Sequence, residues 1–156
     1  VTTRDSGVYS YDPDYQQWHE DLFGPLVGRK IEAVWVDCEE QKYLHFATDQ
    51  GPIYYGTSGS CCSETWFADI FGVEALLEGG PILKVEVAPD KTKVRDGRSR
   101  QQVDEIYGFT LTTSHGRCDI AFRNSSNGWY DGSIVLSPNL PAHRVPWQRI
   151  TGDWSA

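Results

Sequence analysis

Cys61-Cys62-Ser63-Glu64-Thr65-Trp66-Phe67-Ala68-Asp69-Ile70-Phe71 is the stretch on which the reading of the fold turns. Upstream of it, apolar and polar residues alternate with period two. Within it the alternation breaks. Trp66 with Ile70, and Phe67 with Phe71, recur at the i,i+4 spacing that places side chains on one helix face. Ser63 fits an N-cap, and Glu64 a first-turn carboxylate facing the helix dipole. The spacing predicts a helix that begins at Ser63, is interrupted at Gly72, continues over residues 73–78 and stops at Gly79-Gly80. Two thiols and a hydroxyl would then sit at a helix N-terminus, where unpaired backbone N–H groups favour anions.

Working outward, the chain reads as strands. Residues 31–36, 43–47 and 53–57 alternate and are joined by short turns, a predicted antiparallel meander. Residues 82–87 form a further strand, with Leu83, Val85 and Val87 on one face. Residues 107–113 and 117–123 pair as a hairpin about Ser114-His115-Gly116. Thr48-Asp49-Gln50-Gly51 repeats the Thr-x-x-Gly turn of Thr113-Ser114-His115-Gly116, read as a shared turn solution. Residues 133–136 add a strand, and 147–150 an edge strand after a proline-rich run. A short amphipathic helix is predicted over residues 13–23, ended by Gly24-Pro25. The predicted class is α+β, with a twisted, mostly antiparallel sheet of six to eight strands packed on one main helix and a short N-terminal helix. The predicted division is an N-terminal arm with its helix (1–27), a core domain (28–137) and an extended C-terminal tail (138–156).

Composition fits one ordinary domain: 156 residues with six Trp, eight Tyr and six Phe, enough aromatic surface to bury a core. No apolar run approaches the roughly 18–20 residues of a membrane span. The N-terminus, Val1-Thr2-Thr3-Arg4-Asp5, lacks the apolar segment of a signal peptide. A cytoplasmic protein without membrane contact is expected. The formal net charge of -8, from 14 basic and 22 acidic residues, disfavours nucleic acid as a partner, because phosphate contacts rest on Lys and Arg. Five of those basic residues fall within the loop 89–103, which reads as a solvated, mobile segment. Four cysteines are too few for a disulfide scaffold in a chain of this length.

Two motifs stand out: Gly59-Ser60-Cys61-Cys62-Ser63-Glu64-Thr65-Trp66, and Arg123-Asn124-Ser125-Ser126-Asn127-Gly128-Trp129-Tyr130-Asp131-Gly132-Ser133. With Tyr107-Gly108-Phe109 and His115-Gly116-Arg117-Cys118-Asp119-Ile120, they resemble the signature stretches of a small family of bacterial and phage domains of unknown function. The resemblance spans residues 28–136. It implies a bacterial or phage setting, in the host cytoplasm or a virion, and carries no activity with it.

Three chemistries are open to these residues. Cys61 or Cys62 could act as a nucleophile, with His45 or His115 as base and Asn124, Asn127 or Asp119 orienting it, as in a small hydrolase-like enzyme. His115 and Cys118 have a zinc-like spacing, but Cys118 lies on an apolar strand face and adjacent cysteines chelate poorly; no metal and no cofactor is expected. The third is recognition of a polar ligand or a partner protein by Arg117, Arg123, Asn124, Ser126, Asn127, Trp129 and Tyr130, using aromatic stacking and Arg forks. Recognition leads, making a non-enzymatic binding or assembly protein. The aromatic-rich chain ends, with Trp147 and Trp154, would join in contacts to a partner or to further copies. One geometric question decides between site and scaffold: whether the Cys61–Trp66 corner and the 124–131 loop lie together.

Overall fold

The computed structural model describes residues 21–59, 62–88, 92–128, 132–137 and 144–156. The arm, most of the N-terminal helix, Cys61, Trp129, Tyr130 and the proline-rich run lie outside the described residues; Asp21–Phe23 are helical. Eleven strands follow: β1 (Ile31–Asp37), β2 (Tyr43–Thr48), β3 (Gly51–Gly59), β4 (Glu64–Phe71), β5 (Lys84–Val87), β6 (Thr92–Val94), β7 (Val103–Thr113), β8 (Gly116–Ser126), β9 (Gly132–Ser137), β10 (Trp147–Ile150) and β11 (Trp154–Ser155). One six-residue helix, α1 (Val73–Glu78), stands between β4 and β5.

The strands form two antiparallel sheets. One has the order β10-β1-β2-β3-β9; the other runs β11-β4-β8-β7-β5, with β6 also on β7. A single apolar core lies between them, drawing Val34, Leu44 and Tyr55 from the first sheet and Phe67, Phe109 and Phe122 from the second. The architecture is therefore a two-sheet β-sandwich with a minor helix, and the predicted α+β arrangement around a main helix is overturned.

The departure from that expectation lies in residues 64–71. Residues 64–71 are strand β4, buried at Thr65, Trp66, Phe67, Ala68 and Ile70, so no alternation was there to read. Phe67 pairs with Phe122 but Asp69 pairs with Ala121, leaving Ala68 as an extra residue. This is a β-bulge, and it shifts the strand's phase by one. Phe67 and Ile70 both reach the core, three residues apart, while Trp66, Asp69 and Phe71 face outward. Across the bulge the i,i+3 pairs Phe67–Ile70 and Trp66–Asp69 share a face, while the i,i+4 pairs Trp66–Ile70 and Phe67–Phe71 fall on opposite faces. Their helix-like spacing comes from a strand buried on both sides. The bulge carbonyl is satisfied by two donors, the Arg98 guanidinium at 3.0 Å and the Ala156 amide at 2.8 Å. The helix starts only at Val73, behind Gly72 at φ 84° and without a side-chain cap, so Ser63 is no N-cap.

Both tight turns named in the sequence use one solution. The Thr48 hydroxyl accepts from the Gln50 amide at 3.1 Å, and the Thr113 hydroxyl from the His115 amide at 3.2 Å. Residues 147–150 and 154–155, placed in a tail by the sequence, pair with β1 and β4 respectively. Phe23 joins the sheets: its ring stacks 4.6 Å from Tyr55 of β3 and lies 4.3 Å from Phe109 of β7.

Phe23 is fully buried, so Phe23→Ala is expected to cost about 3–5 kcal/mol in urea unfolding, the range for a phenylalanine truncated in a core. Phe71→Ala, at a position 45% exposed, is expected to stay within about 0.5 kcal/mol. A Phe23 loss no larger than that of Phe71 would refute the bridging role.

Candidate functional site

The two motifs meet. β4 and β8 are neighbours, with Glu64 opposite Ser125, Thr65 opposite Asn124 and Trp66 opposite Arg123. On the core side the Thr65 hydroxyl donates to Asn124 Oδ1 at 2.9 Å, both groups buried. Gly132 packs directly on this pair; a Cβ there would collide with Thr65 Oγ1 and Asn124 Oδ1. That close approach accounts for the glycine after Asp131 in the second motif.

On the outer side Trp66 is buried to 2% exposure under three guanidinium groups, those of Arg100 at 4.1 Å, Arg123 at 5.8 Å and Arg98 at 5.9 Å from its ring centroid. Each arginine is also bonded to acids or amides. Arg98 forks onto Asp69, with 3.1 Å and 3.3 Å contacts. Arg100 pairs with Glu64 at 3.0 Å and donates to the Gln41 side chain. Arg123 pairs with Asp104 at 2.9 Å and Asp96 at 3.0 Å, and Ser125 donates to the other oxygen of Asp104. Burial alone would lower the Arg123 pKa, but the bonds to Asp104 and Asp96 outweigh it and raise it. The Arg98 amide, with Arg123 behind it, holds the Asp96 carboxyl below its usual range. Residues 95–102 are thus strapped onto the sheet by Arg98 and Arg100. The segment stays largely exposed, as expected of a solvated loop, but it is tethered, and those two cations are paired within the chain.

This bears on the ligand set named from sequence. Arg123, Asn124 and Ser126 are buried. They are spent on internal bonds, Ser126 accepting from the Gly128 amide at 2.8 Å. Asn127 is exposed beyond the end of β8; Trp129 and Tyr130 lie outside the described residues. Arg117 is exposed at the far end of β8. The motif that looked like a ligand loop is, in its described part, a buried polar anchor.

Of the thiol–base pairs named from sequence, Cys62 and His115 lie far apart, and Cys61 lies outside the described residues. Cys62 is exposed at the β3–β4 corner. His115 sits in the β7–β8 turn beside Glu78, at 3.4 Å. The length of β8 separates them, roughly 30 Å for an eleven-residue strand. His45 lies on the outer face of the other sheet, 4.5 Å from Tyr54 and 5.6 Å from Trp147. Cys118 is buried in the core, which pushes its thiol up to about 12. It is neither a ready nucleophile nor a metal ligand paired with His115. Among the described residues no three His, Cys, Asp or Glu side chains gather as a metal set.

What the sequence missed is a groove. On the outer face of the second sheet, Asp69, Ala121 and Gly108 are successive cross-strand partners, and the Ala88 amide bonds to Gly108 at 2.9 Å. Three of these four side chains are minimal, and the row forms the floor of a depression of about 450 Å³. The next row holds Phe71, Asp119, Thr110 and Glu86, with Arg117 beyond it. The signal available in sequence was Gly108, a glycine inside a strong strand, which marks a close approach or an open space above the sheet.

Residues 24–136 match the family DUF7448, a domain of unknown function. The chain belongs to that family. The matched span holds β1 to β8 and all but the last residue of β9, with both motifs and the groove. No curated protein and no solved structure matches the chain. No helix among the described residues is long and apolar enough to cross a membrane.

Asp104 is fully buried against Arg123, so Asp104→Ala should cost about 3–5 kcal/mol in chemical unfolding by leaving a buried cation poorly compensated. A loss below about 1 kcal/mol, the range of exposed pairs, would show the network to be dispensable. Burial lowers the His45 pKa, so the unfolded state takes up a proton first as pH falls. Stability is complete above about pH 6.5 and drops as pH falls from there toward the folded-state value. His45→Gln is expected to flatten that part of the urea-midpoint profile between neutral and acid pH; an unchanged slope would refute it.

Proposed function

We propose that this chain is a non-enzymatic binding protein, and that the outer groove of the six-stranded sheet receives a partner segment or polar ligand. The observation that carries the reading is the row Ala88–Gly108–Ala121. It holds open a concavity of ligand size on a face that would otherwise present full side chains. The Ala68 bulge turns Asp69 and Phe71 outward as the groove's wall, and bulges recur where a sheet must re-aim side chains beside a site. The strap of Arg98 on Asp69 and the Trp66 arginine cluster hold that wall in place. Asn124 serves the same end by fixing β8 against β4 from the core side through Thr65. The bacterial or phage setting rests on the resemblance of the two motifs alone.

The hydrolase-like alternative needs a thiol with a base, and the separation of Cys62 from His115 argues against that pair. Two measurements decide between the readings. In a small-fragment titration followed by amide NMR, shifts are expected to gather at Gly108, Asp119 and Ala121 and to survive Cys62→Ser. Gly108→Leu fills the groove; a Cβ at this position meets only Ala88, at 3.7 Å, so the variant should fold and lose those shifts. Fragment shifts confined to the Cys62 corner, or alkylation of Cys62 already saturated at pH about 6, well below an ordinary thiol's titration, would overturn the binding reading. Cys118 should resist alkylation until the protein unfolds.

A further inference from the structure

The groove has a charge pattern as well as a shape, and the pattern narrows its occupant. Three transverse rows lie side by side. The first is the small-residue floor, closed at one end by Asp69, whose carboxylate is occupied by Arg98 and by the Ser155 hydroxyl at 2.7 Å. The second places Glu86 and Asp119 on opposite sides of Thr110. Asp119 is exposed and accepts from the Thr110 hydroxyl at 2.6 Å. Glu86 is 56% exposed at the side chain and pairs with Lys84 at 3.2 Å, a solvent-screened contact that a ligand can replace at small cost. The third row is Lys84, Thr112 and Arg117. Beyond it, Asp153 accepts from the Gly72 amide at 2.9 Å, and Glu74 opens the helix next to it.

Phe71, 45% exposed, stands at the end of the acidic row, its strand position opposite Asp119. A carboxylate beside an exposed aromatic ring suits a cation on an aliphatic stem. The head meets Asp119 and the ring face, and the stem lies along the alanine–glycine floor. Arg117 adds a second requirement, since a guanidinium offers only donors. An occupant that satisfies both ends carries a cation and acceptor oxygens together. The floor spans four strands, roughly 14 Å at ordinary strand spacing, which is the length of a few residues of extended chain. A peptide segment with a lysine or arginine side chain has all three features: the stem, the cation, and backbone carbonyls for Arg117. A free polyamine has the first two and lacks the acceptors. The acidic balance of the whole chain, -8, favours approach of a basic partner by the same sign.

Resting on the binding reading above, we infer that the groove over Ala88, Gly108 and Ala121 docks an extended basic segment of a partner protein, with a lysine or arginine side chain laid against Phe71 and its charge held by Asp119. Glu86 adds negative potential from two strands away.

The test uses the full chain and fluorescence anisotropy of end-blocked octapeptides of alanine and glycine with one central lysine, acetyl-lysine or glutamate. The lysine peptide is expected to bind about fivefold or more tightly than the acetyl-lysine peptide, with no glutamate binding, the preference narrowing as salt rises. Asp119→Asn should remove most of that preference, Gly108→Leu should weaken the lysine peptide about tenfold or more, and Glu32→Gln on the other sheet should change neither. Equal binding of lysine and acetyl-lysine peptides, no binding of the lysine peptide, or spermidine displacing the peptide at lower concentration than the unlabelled peptide itself, would overturn the inference. The two readings fail separately. Neutral peptides that bind and are blocked by Gly108→Leu remove the basic partner and leave the groove. Lysine-peptide binding that survives Gly108→Leu removes both.

Discussion

Strand β4 carries one residue more than the strand opposite it, and much of the second sheet is arranged around that mismatch. The extra residue, Ala68, buries its methyl group but leaves a backbone carbonyl that the ladder does not pair. A buried carbonyl left in that state costs what a lost hydrogen bond costs. Here it accepts from Arg98 and from the Ala156 amide. One irregularity therefore requires a loop arginine and the last strand to lie where they do. It also sets which side chains of β4 face the core. With the bulge, Ile70 completes the apolar layer while Asp69 and Phe71 turn outward; in a regular strand that begins with Trp66 outward, Ile70 would face solvent and Asp69 the core.

The outer arginine network follows from the same strand. Trp66 is a large indole on a sheet face that would otherwise be wet. The protein covers it with guanidinium planes, which stack on an aromatic face and keep their edges for acids. Three arginines in one place would repel each other without the carboxylates of Glu64, Asp69, Asp96 and Asp104. The result ties the loop 95–102, the β1–β2 turn through Gln41, and strands β4, β7 and β8 into one unit. Gln41 takes part twice, since its carbonyl also accepts from the Phe67 amide at 2.8 Å. That bond joins the two sheets along the same edge.

The sequence was legible where one face of a strand is wet. β2 alternates cleanly in burial, and the β7–β8 hairpin and its Gly116 turn were read correctly. It was illegible where a strand is buried on both faces, because period two then leaves no trace, and a bulge substitutes a spacing of three for the spacing of two or four. The candidate site divides in the same way. The residues singled out in the two motifs do come together, with Thr65 on Asn124 and Trp66 on Arg123. Their chemistry looked available to a ligand only because sequence does not show that Asp104 and Asp96 stand against Arg123, or that Gly132 closes over Asn124. Polar residues crowded into a motif identify a place where burial must be compensated as readily as a place where something binds.

The groove inverts that logic. Its floor is made of residues with no chemistry of their own, and of Ala88, Gly108 and Ala121 only the strand glycine draws notice in a sequence. Cross-strand register is what makes them a site, because three small residues in one transverse row lower the sheet surface by the depth of a side chain. The neighbouring rows then act as walls. Their charges alternate by row because residues two apart on a strand share a face, so Lys84 and Glu86, or Arg117 and Asp119, must occupy adjacent rows once each pair points outward. Shape and charge in this groove thus have a common origin in register, unbroken across β5, β7 and β8 and set on the β4 wall by the extra residue Ala68.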